Sequence, residues 1–214
     1  MIAELGQIAL IIALILAVLQ GGLPLIGAQR NDAALMAFAR PAAVAQFGFI
    51  AIAFGILVNA FVLNDFSLTY VANNSNSELP TMYRVAAVWG AHEGSMLLWV
   101  LILATWTLAV AWRSRSLPED MVARVLGVLG LISVGTLAFI LFTSNPFWRL
   151  QPAALDGADL NPLLQDPALV IHPPMLYVGY VGLSVAFAFA IAAMLSGRLA
   201  RQWARWTRTR TTAA

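Results

Sequence analysis

Residues 122–142 read VARVLGVLGLISVGTLAFILF, with one charge, Arg124, near the start. At 1.5 Å per residue such a run is about 30 Å long, the thickness of a bilayer's hydrocarbon core. A soluble domain offers few places to bury an uninterrupted stretch of this length, so the run reads as a transmembrane helix. Four more runs of the same kind flank it: Leu5–Leu25, Pro41–Val62, Trp89–Trp112 and Pro174–Leu195. The first is expected to break at Gly21-Gly22-Leu23-Pro24. It has neither a basic leader nor a clear small-residue cleavage site, so it is read as retained rather than removed as a signal peptide.

Composition agrees. The 214 residues are 61% hydrophobic and only 10% charged, against about 25% charged in soluble domains. Each Arg or Asp at a helix centre costs roughly 2.5–3.5 kcal/mol on insertion scales, so lipid-facing surface excludes them. The expected fold class is all-α, a polytopic transmembrane bundle of about five spans, with residues 1–214 as a single transmembrane domain. There is no cysteine, which excludes disulfides, thiolate metal sites and a cysteine nucleophile.

Orientation is read from arginine, since lysine is absent. Ten of the twelve arginines fall in the loop after span one (Arg30, Arg40), the loop after span three (Arg113, Arg115, Arg124) and the tail (Arg198, Arg201, Arg205, Arg208, Arg210). The opposite side holds only Arg84 and Arg149. The positive-inside rule places the ten in the cytoplasm, the N-terminus outside and the C-terminus inside. Arg198, Arg201, Arg205 and Arg208, with Trp203 and Trp206 between them, suit an interfacial helix on an anionic leaflet, or simply a topology anchor. The outer connections, Leu63–Val88 and Thr143–Pro173, are the long ones, and the second is rich in proline and in apolar residues.

Two segments carry candidate chemistry. The first, Trp89-Gly90-Ala91-His92-Glu93-Gly94-Ser95-Met96-Leu97-Leu98-Trp99, is expected to open span three. Gly90 and Gly94 form a G-x-x-x-G pair that lets another helix approach. His92, Trp99 and Trp106 share one face. Glu93 is expected about 6–12 Å along the helix. An ionisable pair inside a membrane is a functional candidate, while hydrogen bonding between packed spans accounts for it equally. Met96 stands where a zinc-protease H-E-x-x-H motif needs its second His.

The second segment is Ile171-His172-Pro173-Pro174-Met175-Leu176-Tyr177. His172 is expected outside, just before span five, with the two prolines fixing a helix start. A rigidly held imidazole at a membrane surface suits an axial ligand to haem iron, and it equally suits a loop-anchoring His. Tyr177, Tyr180 and Ser184 form a polar stripe below it. Asn161-Pro162 and Asp166-Pro167 read as turn starts. Arg84 and Arg149 are candidates for haem propionates, with pairing to Asp65, Glu78, Asp156 or Asp159 as the alternative.

Together these segments resemble the CcmF family of cytochrome c biogenesis proteins, the haem lyase component of the bacterial assembly system. The resemblance runs along the whole chain. It rests on Val88 through Trp99, on Thr143-Ser144-Asn145-Pro146-Phe147, and on Leu160 through Asp166-Pro167 running into Ile171 through Tyr177. It implies an inner-membrane protein with its functional loops facing the periplasm. Such a protein takes b-type haem from the chaperone CcmE, works with membrane components such as CcmH, and promotes haem attachment to the Cys-x-x-Cys-His thiols of an apocytochrome c. The resemblance makes His172 an axial ligand to the haem iron, with Tyr177 as a further contact and Trp89, Gly90, His92, Glu93, Gly94, Ser95 and Trp99 as the motif. The family's tryptophan-rich segment, second external His and internal haem b histidines lie beyond the reach of this sequence. The chain is therefore expected to be an N-terminal portion, with lyase activity belonging to the complete protein or complex. A transporter or proton-conducting subunit using His92 and Glu93, and a non-catalytic membrane scaffold, are the competing readings.

The arginine asymmetry has a direct test. A reporter active only outside the cytoplasm is expected to work when fused after Asn74 or Asp156 and to be silent after Asn31, Pro118 or Arg208. The reverse pattern overturns the orientation.

Overall fold

The computed structural model describes residues 2–197. The interfacial tail reading, on Arg198, Arg201, Arg205, Arg208, Trp203 and Trp206, lies outside them. The described chain is helical: α1 (Ile2–Arg30), α2 (Ala33–Ala37), α3 (Ala39–Val62), α4 (Thr69–Asn74), α5 (Thr81–Ala87), α6 (His92–Arg113), α7 (Glu119–Thr143), a 3-10 turn at Pro162–Gln165 and α8 (Pro167–Ser196). Five stretches are long and apolar enough to cross a bilayer: α1, α2 with α3, α6, α7 and α8. Between α3 and α6, and between α7 and α8, the two long connections lie at the upper end, where α1 starts.

Apolar burial does little to hold helices together in lipid, because the tails are as apolar as leucine; close packing of small residues does more. The buried face of α1 is built mostly that way, from Ala3, Gly6, Ala9, Ala13, Ala17, Gly21, Gly27 and Ala28 with Leu10 and Gln20. It lies against α7 and α3. At the crossing with α7, a Cβ on Gly130 would stand 2.8 Å from the Gly21 backbone nitrogen. One buried cluster joins α1, α3, α6 and the outer connections. A second joins α6, α7 and the lower half of α8.

Helix ends require partners for their last four carbonyls. The four of α3 are all met: Asn59 by the Leu63 N–H, Ala60 by Asp65, Phe61 by Asn64, and Val62 by the Arg84 guanidinium at 3.3 Å. Arg124 donates to the Ala28 carbonyl of α1 at 2.9 Å and pairs with Asp120 at 2.9 Å. Arg40 donates to the Ala111 carbonyl of α6 at 2.5 Å and reaches Glu119 at 3.5 Å. Cations at helix C-termini are favoured by the dipole as well. Arg40 and Arg124, counted above only for topology, and Arg84 tie neighbouring helices together.

Three expectations are corrected. Helix α1 does not break at Gly21–Pro24 but runs on to Arg30, with Gly21 and Pro24 buried against its neighbours. Span three starts at His92, not Trp89, with Ala91 in an extended conformation before it. Span five starts at Pro167, seven residues before Pro174, because the Asp166 carboxylate caps it, accepting from Ala168 N–H at 2.8 Å and Leu169 N–H at 3.4 Å. His172, Pro173 and Pro174 therefore stand inside α8.

The long connections form one stitched layer. Leu68 and Arg149 make an isolated antiparallel bridge, with Thr69 N–H on the Trp148 carbonyl at 3.0 Å and Leu150 N–H on Ser67 at 2.8 Å. Asp156 accepts from the Ser77 N–H at 2.9 Å and hydroxyl at 2.6 Å. The Ser77 hydroxyl first, then the Gly157 and Ser77 N–H groups, hold the Asp156 carboxyl below its ordinary range. That contribution is present at neutral pH and is lost as the pH falls through the lowered value.

The α1–α7 crossing predicts a contrast. Gly130→Ala forces backbone apart and is expected to cost about 1–3 kcal/mol. Gly135→Ala, with nothing within 4 Å of the added carbon, is expected to be neutral or to stabilise by up to about 1 kcal/mol through helix propensity. Thermal unfolding of the detergent-solubilised protein measures both, and equal losses would reject the close crossing.

Candidate functional site

The Trp89–Trp99 motif is a chain reversal entering α6, held by a buried phenol. The Tyr70 hydroxyl donates to the Val88 carbonyl at 3.0 Å and accepts from the Ala91 N–H at 3.3 Å. Burial pushes this phenol well above its ordinary range, so it remains a donor. Phe61 packs edge-on against it at 5.3 Å. Ser95 donates back to the Trp89 carbonyl at 2.8 Å. A Cβ on Gly94 would lie 1.7 Å from the Val88 carbonyl and 2.7 Å from the Tyr70 oxygen. Gly90 precedes the helix and faces Leu160 and Leu164. The glycine pair thus admits folded-back chain, not a second helix as the sequence spacing suggested. Trp99 packs between the two buried clusters.

His92 and Glu93 occupy the first turn of α6, at the end of the span rather than within it. Glu93 there complements the positive end of the helix dipole. The His92 ring is exposed, its Nδ1 lies 2.6 Å from the buried Ser144 hydroxyl, and it stands edge-to-face on Phe139 at 5.5 Å. His92 thus joins α6 to the end of α7. Next along the chain, Asn145 donates to the Gln7 side chain at 2.8 Å and Phe147 fills the space over Gly6.

His172 is different. It is exposed and makes no hydrogen bond among the described residues. At 100° per residue it stands half a turn around α8 from Val181, which is buried against α6 and α7. Its neighbours on the outward side, Ile171, Met175 and Leu176, are exposed and apolar. Tyr177 is half-buried against the second cluster and so lies on the inward side, away from His172. Tyr180 is exposed, so the polar stripe is split between the two sides.

Two tryptophans dock α8. The Trp89 indole N–H donates to the Val170 carbonyl at 3.0 Å, and the Trp106 indole to Val178 at 3.0 Å. Asn161 accepts from Leu163 N–H at 3.1 Å, shaping the turn that leads in.

The propionate candidates are already engaged. Arg84 donates to the Leu79 and Ser77 carbonyls at 2.7 Å each, besides Val62. Arg149 pairs with Glu4 of α1 at 2.5 Å, reaches Asp65 at 3.9 Å and bonds the Ser67 hydroxyl. Asp65 was an expected partner and Glu4 was not. The arrangement gathers Trp89, Val170 and α8 on one side, and ties Arg149 to α1 on another. Tyr70 was missed in the sequence because nothing local distinguishes it. Ser144 and Asn145 stood in a quoted string, but no partner was legible for them.

An imidazole with no hydrogen-bond partner among the described residues, on a helical face with apolar neighbours, has a ring nitrogen available as a metal donor. Among the described residues no group of three or more His, Cys, Asp or Glu side chains is placed to hold a metal ion.

Residues 89–213 match the family model for cytochrome C assembly protein. The chain is 64% identical to the cytochrome c-type biogenesis protein CcmF of Pseudomonas aeruginosa, over 97% of this chain and 32% of that protein. To the CcmF of Pseudomonas fluorescens it is 60% identical, again over 97% and 32%. A solved structure described as cytochrome c heme lyase CcmF superposes with a TM-score of 0.85 at 31% identity, covering 98% of this chain and 33% of that one. The chain spans about a third of the length of the relatives it matches.

Removing space at the reversal should matter more than removing the imidazole beside it. Gly94→Ala is expected to cost about 3 kcal/mol, as it drives a carbon into backbone. His92→Ala, which leaves the buried Ser144 hydroxyl unpaired, is expected to cost about 1–3 kcal/mol. Unfolding midpoints of the two purified variants rank them, and a neutral Gly94→Ala contradicts the reversal geometry.

Proposed function

We propose that this chain, which belongs to the cytochrome C assembly protein family, presents His172 as an axial ligand to haem at the outer face of the bacterial inner membrane. In this reading the haem is substrate, received from CcmE and passed to the thiols of an apocytochrome c, with CcmH among the membrane partners. The lyase activity is assigned to the whole protein, of which this chain supplies five spans and part of the outer docking surface.

The observation that carries the reading is the state of His172. Its imidazole is exposed, bonded to nothing among the described residues, and fixed on a helix rather than on a loop. A structural His normally has a hydrogen-bond partner, as His92 does with Ser144. A ligand to iron must keep one nitrogen free and its ring direction constant. The outward apolar neighbours, Ile171, Met175 and Leu176, suit a porphyrin edge. The orientation with the upper layer in the periplasm follows from the arginine distribution. Arg84 and Arg149 contribute to this reading only as scaffold, since their guanidinium groups are spent on carbonyls and carboxylates. A proton-conducting role for His92 and Glu93 draws less support, because the pair lies at a helix end and no chain of ionisable groups continues from it among the described residues.

In the complete protein, His172→Ala is expected to leave membrane abundance within about 0.5 kcal/mol of unchanged stability, as an exposed unbonded residue should. Matured cytochrome c is expected to fall by at least about tenfold, since even outer-shell changes at metal sites cost that much. Added imidazole should restore part of it by occupying the vacated position. Normal maturation in this variant removes His172 from the site.

A further inference from the structure

We propose that Trp89 is a positioning residue for His172: its indole N–H holds the backbone carbonyl that Pro174 leaves unpaired, and so sets the direction in which α8 presents the imidazole. The inference rests on the haem-ligand reading of His172 for its functional consequence, but its geometry stands apart from that reading.

The argument begins with a missing hydrogen. In an α-helix the N–H of residue i donates to the carbonyl of residue i−4. Pro174 lies inside α8 and has no N–H, so the Val170 carbonyl loses its helical donor. This is the carbonyl that receives the Trp89 indole at 3.0 Å. Val170 is only half-buried and lies near the membrane end, yet the donor that meets it comes from a segment 81 residues away. The match of donor to released acceptor makes Trp89 part of α8's own backbone bonding.

The consequence is directional. The upper half of α8, from Pro167 to Tyr180, contains no fully buried residue, so apolar packing does little to fix its rotation. Besides Tyr177 against the second cluster, it is held by the Asp166 cap, by Trp89 on Val170 and by Trp106 on Val178. His172 is two residues beyond Val170. A helix free to rotate or fray above Pro174 would sweep the imidazole through an arc. Trp89 in turn is fixed by the Ser95 bond to its own carbonyl and by the Tyr70 reversal next to it. The motif opening α6 thereby acts on His172 through the backbone of α8.

Trp106 supplies the internal comparison. Its acceptor, the Val178 carbonyl, retains a helical donor in the Gly182 N–H, since residue 182 is not proline and α8 is continuous there. Loss of the Trp106 bond leaves no orphan; loss of the Trp89 bond does.

The test is a double-mutant cycle in the complete protein. Trp89→Phe keeps the aromatic bulk and removes the donor. Pro174→Ala returns an N–H to Val170. Amide hydrogen exchange over residues 168–177 is read in Trp89→Phe, Pro174→Ala, Trp106→Phe and the Trp89→Phe/Pro174→Ala pair, with the absorption spectrum of bound haem alongside. Trp89→Phe is expected to speed exchange about fivefold, the scale of one lost hydrogen bond, and to shift bound haem from low-spin toward high-spin. The double variant is expected to recover both, and Trp106→Phe to change exchange by less than about twofold. Unchanged exchange in Trp89→Phe, or a loss that Pro174→Ala does not relieve, overturns the proposal. If exchange follows the cycle while His172→Ala matures cytochrome normally, the ligand reading fails and the capture of Val170 by Trp89 stands.

Discussion

A backbone carbonyl released at a helix end or by a proline in a span has little or no water to bond, and several such carbonyls here take a donor from another part of the protein. Much of this fold follows from how those carbonyls are met. Arg124 takes Ala28 at the end of α1, Arg40 takes Ala111 at the end of α6, and Arg84 takes Val62 at the end of α3. Trp89 takes Val170 within α8. Each donor lies outside the helix of its acceptor: the arginine bonds join pairs of helices, and the Trp89 bond ties α8 to the reversal before α6. Hydrogen bonds to charged groups contribute about 1.5–3 kcal/mol apiece, well above what exposed ion pairs give. The same requirement explains why the arginines are not free to serve as anion ligands.

The spans themselves meet through small residues. The alanine and glycine faces of α1 and α3, and the Gly21–Gly130 approach, bring backbones close enough for dispersion to act without a hydrophobic drive. Against that close-packed half, α8 is an edge. Its lower half is buried against α6 and α7, while its upper half is held mainly by Trp89 and Trp106 and leaves His172, Met175, Leu176 and Tyr180 exposed. In the proposed function that asymmetry is useful. The packed half supplies rigidity, and the other half supplies an exposed apolar surface beside the imidazole on which a flat apolar molecule has room to pack.

The upper layer converts two long connections into a platform. Without the Leu68–Arg149 bridge and the Asp156–Ser77 and Asn76–Asp159 contacts, each connection would be a loop of more than twenty residues with little reason to hold one shape. Stitched together, they hold Leu160 and Leu164 over Gly90 and fix where α8 begins. The position of His172 is thus inherited from three sources: the Asp166 cap, the layer beneath it and the Trp89 bond.

What the sequence by itself determined was whatever depends on local composition. Five apolar runs gave five spans, because the cost of burying charge in lipid acts on each segment separately. Asn161 and Asp166 were legible as turn starts because they bond backbone two or three residues away. The extent of α8 was misjudged for the opposite reason. Pro173 and Pro174 argue locally for a helix start, and the donor that meets the Val170 carbonyl released by Pro174 comes from distant Trp89. The glycine pair at Gly90 and Gly94 spelled close approach, but Gly94 meets Val88 and Tyr70 and Gly90 meets Leu160 and Leu164, none of them on another span, which spacing cannot distinguish. The roles of Arg40, Arg84, Arg124, Ser144 and Tyr70 were decided by tertiary structure alone, since a side chain's hydrogen-bond partner in a bundle is set by which helices adjoin, not by its neighbours in sequence.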